Sequence, residues 1–224
     1  MKDFMKLVQD RLIGDGWLNN AHRPHSGFQY RQSKTTKGID QRPLTDEIFC
    51  RATSLGLRPI IHDCLAKTNA GENKGVYFNR GASRMVYVPA SSLFNPIRSS
   101  WYTHMDSTHW TKHVPDDFEY WADVQTMARW IEDDGSMWLD GSMMLSTESF
   151  TKPENERLSL WVNRTLGVKS KVLKHYGKKY RILITSKDYA QIIPTIRRFF
   201  HECTSRKVLT SPPLDAILFT GAIA

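Results

Sequence analysis

Two stretches of this chain end on the same acidic-glycine pair. Val8-Gln9-Asp10-Arg11-Leu12-Ile13-Gly14-Asp15-Gly16 lies near the start, and Met127-Ala128-Arg129-Trp130-Ile131-Glu132-Asp133-Asp134-Gly135 lies past the middle. Each reads as a helix that stops on Asp-Gly. The glycine is expected in the left-handed conformation that suits a residue just past a helix end. An aspartate there has the wrong charge, because the helix dipole leaves partial negative charge at the C-terminus. A chain that places a carboxylate at this point twice must neutralise it. A divalent cation, which seeks oxygen ligands, is the simplest candidate.

The elements that carry these residues follow from the rest of the sequence. The chain has 224 residues, long enough for one large domain or two of roughly 100 residues. It carries 31 Lys and Arg against 23 Asp and Glu, a net charge of +8. Such a basic excess favours nucleic acid or another polyanion as partner. Cys50, Cys64 and Cys203 are odd in number and widely spaced, which points to an intracellular reducing compartment rather than a disulfide framework. No apolar run is long enough to span a membrane, and the opening Met1-Lys2-Asp3-Phe4 resembles neither a signal peptide nor a transit sequence.

The repetition extends beyond the Asp-Gly endings. Thr53-Ser54-Leu55-Gly56-Leu57-Arg58 and Arg164-Thr165-Leu166-Gly167-Val168-Lys169 both read as a helix closing on Leu-Gly before a strand. Arg84 to Pro89 and Lys179 to Ile184 both read as strands rich in β-branched and aromatic residues. Asn95-Pro96-Ile97 and Ile193-Pro194-Thr195 each place a proline where it suits the first turn of a helix. Phe28 to Ser33 belongs to the first hairpin of half one. In half two, Asp140-Gly141 is a strong turn signal between Met137-Trp138-Leu139 and Met143 to Thr147. A second hairpin there runs from Val168 to Leu173, turns near His175-Tyr176-Gly177 and returns from Lys179. The fold class is therefore α+β, with two pseudo-symmetric αββαββα halves. The expected divisions are 1–105, a linker at 106–121, a second half at 122–210 and a tail at 211–224. Such internal pseudo-symmetry suits palindromic or partly palindromic DNA.

These residues resemble a known family, the single-chain, two-motif LAGLIDADG homing endonucleases. The second motif at 127 to 135 with Ser136 is similar to the family's, as are Trp101-Tyr102, Val114-Pro115-Asp116, Leu145 to Thr151, Thr165-Leu166-Gly167 and Lys179 to Ile182. The first motif departs at Asp10-Arg11, where small or apolar residues are usual, and keeps Gly14-Asp15-Gly16. The resemblance implies saddle-shaped antiparallel sheets lying along DNA, with the two motif helices at the central interface. It implies a metal-dependent double-strand cut in a long, partly palindromic site, one strand per acid, in the service of intron homing.

The resemblance also assigns the site. Asp15 and Asp134 are the metal ligands and catalytic acids, and the backbone carbonyls at Gly14 and Asp133 join the shell. Two carboxylates brought together at two helix ends repel each other, and Mg2+, in two or more copies, relieves this while engaging phosphate. Paired cations supply an activated water and a stabilised leaving oxygen for phosphodiester hydrolysis. A basic residue accompanies the acids; Lys207 and Arg206 in half two and Lys112 in half one are the candidates. The Asp133 side chain is read as off-axis, and Glu132 as a polar residue on the helix surface.

Alternation assigns the DNA face. Gln29, Arg31 and Ser33 point one way, with Phe28, Tyr30 and Gln32 opposite; Lys34 follows. In half two, Lys169 and Lys171 share a face, as do Lys179 and Arg181, and Lys174 and Lys178 flank the turn. Gln and Arg suit base edges, and Lys near turns suits phosphates. Double-stranded DNA is the expected partner of a monomer; intron RNA is a further candidate. Competing readings are an RNA-binding maturase on the same fold and a DNA-binding regulator without catalysis.

Other constellations carry less. His104, His109 and His113, and His62 near Cys64, lack a zinc-ligand pattern. Trp101, Trp110, Trp121 and Trp130 read as core and linker packing. Gly71 to Gly75 reads as a polar turn rather than a phosphate loop.

Overall fold

The computed structural model describes residues 1–19, 26–33, 35–36, 39–64, 67–70, 77–80, 82–104, 110–205 and 207. Lys34, His109, Arg206, Gly71 to Gly75 and the tail expected at 211–224 lie outside the described residues. The chain divides into two compact units, Met1–Arg98 and Ser99–Ala224.

The first unit opens with α1 (Lys2–Leu12), whose Phe4, Leu7, Val8 and Leu12 recur at helical spacing and are buried. The strands β1 (Gly16–Asn19) and β2 (Ser26–Ser33), the helix α2 (Arg42–Ser54) and the strands β3 (Ile60–Cys64) and β4 (Ser83–Ser91) follow. The helix α3 (Asn95–Trp101) carries the division between the units. The sheet is antiparallel in the order β1-β2-β4-β3. Phe28 pairs with Val88 and Tyr30 with Val86; all four side chains are buried, as are Leu44, Ile48 and Ala52 of α2. The alternation expected for Phe28 to Ser33 holds where it is described: Phe28 and Tyr30 are buried, and Arg31 is exposed.

The second unit repeats the plan. The helix α4 (Val124–Asp134), strands β5 (Gly135–Met137) and β6 (Met143–Leu145), helix α5 (Lys152–Leu166), strands β7 (Ser170–Lys174) and β8 (Tyr180–Ile184) and helix α6 (Ser186–Ile196) follow in turn. The sheet order is β5-β6-β8-β7, the counterpart of the first. Reciprocal capping boxes start α4 at Asp123 with Thr126 and α5 at Thr151 with Glu154. Asp140-Gly141 makes the expected turn, with Gly141 at φ +81° and Asp140 accepting from the Ser142 N–H at 2.9 Å.

The Leu-Gly closings also behave as expected. Gly56 and Gly167 sit at φ +75° and +67°, where a side chain would be strained. Pro194 does not open a helix. It lies inside α6, which starts eight residues earlier at Ser186, where Thr185 accepts from the Asp188 N–H and caps the end. The cap therefore sets the helix start, and the proline falls near its end.

Residues 110–121 dock within the second unit. Glu154 accepts from the Val114 N–H at 2.8 Å, and Arg157 donates to the Asp116 carbonyl at 2.8 Å and pairs with Glu119. Phe118 packs edge-on against Trp121 and Trp161, and Trp101 and Trp130 are fully buried, so these join the core, whereas Trp110 is 41% exposed.

Candidate functional site

In the first unit the motif helix loosens before its acid. Residues 13–15 form a turn, the Gly14 N–H donates to the Arg11 carbonyl at 3.2 Å, and Gly16 opens β1. Asp15 is exposed. The Gln32 amide donates to Asp15 Oδ2 at 2.6 Å and to the Tyr30 hydroxyl at 2.9 Å. Beneath it, the buried Tyr30 ring meets the Arg11 guanidinium 5.0 Å from its centroid. Arg11 lies 3.6 Å from Glu47, and Glu47 is 3.0 Å from Arg51. Lys6 pairs with the buried Asp10. The unusual Asp10-Arg11 of the first motif thus has a physical account. Buried charges need partners, and these two find them within the first unit.

In the second unit α4 stays helical through Asp134. Asp134 and Asp133 are half-buried. The Asp134 carbonyl accepts from the Ser146 N–H at 3.2 Å. Lys207 donates to the Ile131 carbonyl at 2.8 Å and the Glu132 carbonyl at 2.7 Å. It brings positive charge to the negative end of the dipole, where it offsets the misplaced Asp134. Glu132, expected on the helix surface, is instead 2% exposed. Its carboxylate accepts from Arg129 at 2.9 Å, the His201 N–H at 2.6 Å and the Thr204 hydroxyl at 2.7 Å.

The left-handed conformation expected at the Asp-Gly endings is not found. Gly135 sits at φ −74°, ψ 129°, open to any residue, and Gly16 is not among the positive-φ glycines. The need for glycine is a close approach. A Cβ on Gly135 would lie 2.6 Å from the Ile131 carbonyl oxygen, and one on Gly16 would lie 2.6 Å from that of Arg11. The chain turns from helix into strand so tightly that the new strand brushes the last helical turn.

Lys112 is half-buried, with its ammonium 5.7 Å from the Trp101 ring centroid, and falls in the second unit. At each helix end the described donors are a carboxylate and backbone carbonyls. Among the described residues no three His, Cys, Asp or Glu side chains converge. Oxygen donors of this kind suit a hard cation that keeps waters and takes phosphate oxygens.

The sheet faces divide as the pairing dictates. Gln29 is half-buried on the face opposite Phe28, beside exposed Arg31; Ser33 pairs through its backbone with Ser83. Register aligns Trp17, Gln29, Tyr87 and Ile60 in one row across all four strands. Trp17 is 52% and Ile60 47% exposed, an apolar edge on each side of that row. Sequence reasoning missed this row, because only strand pairing aligns residues so far apart. It missed Gln32 for the same reason: the Gly16–Tyr30 pairing carries β2 past the end of β1 and on to Asp15.

In the second unit Lys171 pairs with Leu183 and Leu173 with Arg181, so Lys169, Lys171, Lys179 and Arg181 lie on one face. Lys169, Lys171, Lys174, Lys178 and Lys179 are exposed. Arg181 differs: it is half-buried, and Glu148 pairs with it.

Comparison with known proteins adds a sequence and a structural finding. No curated protein matches the chain. Among solved structures, the homing endonuclease I-WcaI bound to its DNA recognition sequence matches with a TM-score of 0.72 at 18% identity, over 93% of this chain and 87% of that one. I-DmoI in complex with DNA and Mn matches at 0.50 and 15% identity, over 86% of this chain and 95% of that one. I-DmoI in complex with DNA and Ca matches at 0.50 and 13%, over 87% and 88%. These likenesses show the fold. Residues 61–192, more than half of the sequence, match the LAGLIDADG DNA endonuclease family, and the chain belongs to that family.

Proposed function

We propose that this protein is a site-specific DNA endonuclease of the homing type, which cuts both strands of a long, partly palindromic site with divalent cations, Mg2+ in the cell. The observation that carries this reading is the repeated Asp-Gly helix end within a chain of this family. Each leads into the first strand of an antiparallel sheet, the first through the turn at 13–15 and the second directly. The similar structures, homing endonucleases in complex with DNA and with Mn or Ca, support the same partner and the same class of cation.

In this reading Asp15 with the Gly14 carbonyl, and Asp134 with the Asp133 carbonyl, would hold the cations. When bound, such cations lower the pKa of a water and stabilise the leaving oxygen. Gln32 orients the Asp15 carboxylate through its 2.6 Å hydrogen bond. Lys207 keeps a positive charge on the Ile131 and Glu132 carbonyls at the second helix end, where it would attract an incoming phosphate. Lys169, Lys171, Lys174, Lys178 and Lys179 meet the DNA backbone, and Gln29 and Arg31 meet base edges. Both motifs lie on one polypeptide, so the active species is a monomer.

The test is incubation of the protein with a randomised duplex library and Mg2+, followed by sequencing of cut ends, beside an Asp134→Asn control. Cutting at one long site, reduced in the control to single-strand nicks, is the expected result. Absence of cutting, with salt-sensitive binding to a structured intron RNA, would replace this reading with that of a maturase.

A further inference from the structure

Glu132 occupies a place where charge is expensive. Two residues before Asp15 the first motif has Ile13, an apolar residue as buried as Glu132 itself, both at 2% exposure. The fold therefore accepts a hydrophobic side chain at that position. A buried carboxylate there requires several donors to offset its desolvation, and described residues supply them: Arg129 on Oε2, and the His201 N–H and Thr204 hydroxyl on Oε1. Arg129 comes from the same helix. The other two come from the segment after α6, where Glu202–Thr204 forms a single 3-10 turn. The Thr204 N–H donates to the His201 carbonyl at 3.0 Å, which closes that turn on itself. Three residues beyond Thr204, Lys207 reaches back to the carbonyls of Ile131 and Glu132.

Glu132 thus binds the chain just before Lys207 with its side chain and Lys207 itself with its backbone. The Tyr189 hydroxyl of α6 supplies a further tether by bonding the Lys207 carbonyl. We propose that Glu132 is a positioning residue for Lys207, and that this anchor makes cleavage of one DNA strand depend on a contact that Ile13 cannot supply to the other. The proposal rests on the endonuclease reading above. The two strands are then cut by sites of unequal preorganisation, and loss of the anchor converts a double-strand cutter into a nicking enzyme.

The experiment uses the full chain and the duplex selected by the wild-type protein, labelled differently on each strand. Single-turnover rates are read per strand in Mg2+, and affinity is read separately in Ca2+. The strand served by Asp134 is the one whose cleavage Asp134→Asn abolishes. Glu132→Gln should slow that strand by about tenfold or more, leave the other within about twofold, and leave affinity unchanged. Nicked product should therefore accumulate. Lys207→Ala should do the same, and the double variant should be no slower than Lys207→Ala alone, because both act through one group.

Thr204→Val removes one donor and keeps the buried carboxylate. It should give the same strand bias more weakly, and it carries the test if Glu132→Gln does not fold. Equal slowing of both strands, or additive effects of Glu132→Gln and Lys207→Ala, would overturn the positioning role while leaving the endonuclease reading intact. A wild-type protein that cuts nothing would overturn both.

Discussion

At the end of α4, a lysine from the far end of the unit sits on the last carbonyls, and a buried glutamate ties down the turn that delivers it. At the end of α1 the acid is exposed, and its described partner is the neutral amide of Gln32, backed by Tyr30 and Arg11. The two termini share the same steric solution, a glycine against the preceding helical turn. They differ in the side chains that reach them. Among the described residues a lysine reaches the last carbonyls of α4, and the Gln32 amide reaches the carboxylate that follows α1. Duplicated topology therefore does not imply duplicated side-chain partners. The shape of the turn is set by backbone contact, whereas the charge balance is set by side chains from elsewhere in each unit.

The largest expected effect tests whether both ends are active. Asp15→Asn and Asp134→Asn should each slow one strand by on the order of a thousandfold, with DNA affinity in Ca2+ preserved. Strand-resolved cleavage measures this. Loss of both strands in either single variant would break the one-acid, one-strand assignment.

The shared steric solution is tested by stability. Gly135→Ala and Gly16→Ala should each cost about 2–3 kcal/mol in urea unfolding, because the new methyl meets a carbonyl oxygen and the strand must shift. Gly167→Ala, at φ +67° with open space around it, should cost only about 1 kcal/mol. The reverse order would mean that dihedral strain, and not close approach, selects glycine at the motif ends.

The difference in partners is tested by Gln32→Ala. It should slow the strand served by Asp15 by roughly tenfold and leave the other unchanged. A slower reaction on both strands would place Gln32 in general DNA binding instead.

The basic face of the second unit gives a smaller effect. Lys171→Ala or Lys179→Ala should each lower the slope of log affinity against log salt by about 0.9. Arg181→Ala should lower it less, because Glu148 already neutralises that guanidinium. Equal slopes for the three variants would count against this distinction.

The smallest effect concerns the docked segment at 110–121. The hydrogen bond from Arg157 holds the Glu119 carboxyl below its ordinary value of 4.5. A depressed carboxylate contributes stability above its unfolded pKa and loses it as pH falls through the folded value. Glu119→Gln should therefore lower Tm at neutral pH. The gap to the wild type should narrow as pH drops below about 4.5, as thermal unfolding across that range will show. A gap that persists unchanged in acid would remove the ion pair from the account.

Much of this molecule was legible in its residues. Period-2 alternation placed Phe28 and Tyr30 inward and Arg31 outward, because a strand must present opposite faces in turn. Leu-Gly pairs marked the left-handed closings of α2 and α5, and Asp140-Gly141 marked a hairpin turn, because these conformations depend on local chemistry alone. The duplicated Asp-Gly ending with its context pointed to the family.

Contacts between distant residues lay beyond that reach. The burial of Glu132 depends on a turn some seventy residues away, and no local rule distinguishes it from a solvated helix residue. Gln32 reaches Asp15 only through the pairing of β1 with β2, and Trp17, Tyr87 and Ile60 share a row only through four-strand register. Even the motif glycines, foreseen for their flexibility, are needed for their lack of bulk. Local dihedral preference is written in neighbouring residues. The space left for a Cβ, and the donors that make a buried charge tolerable, are fixed only when distant segments pack.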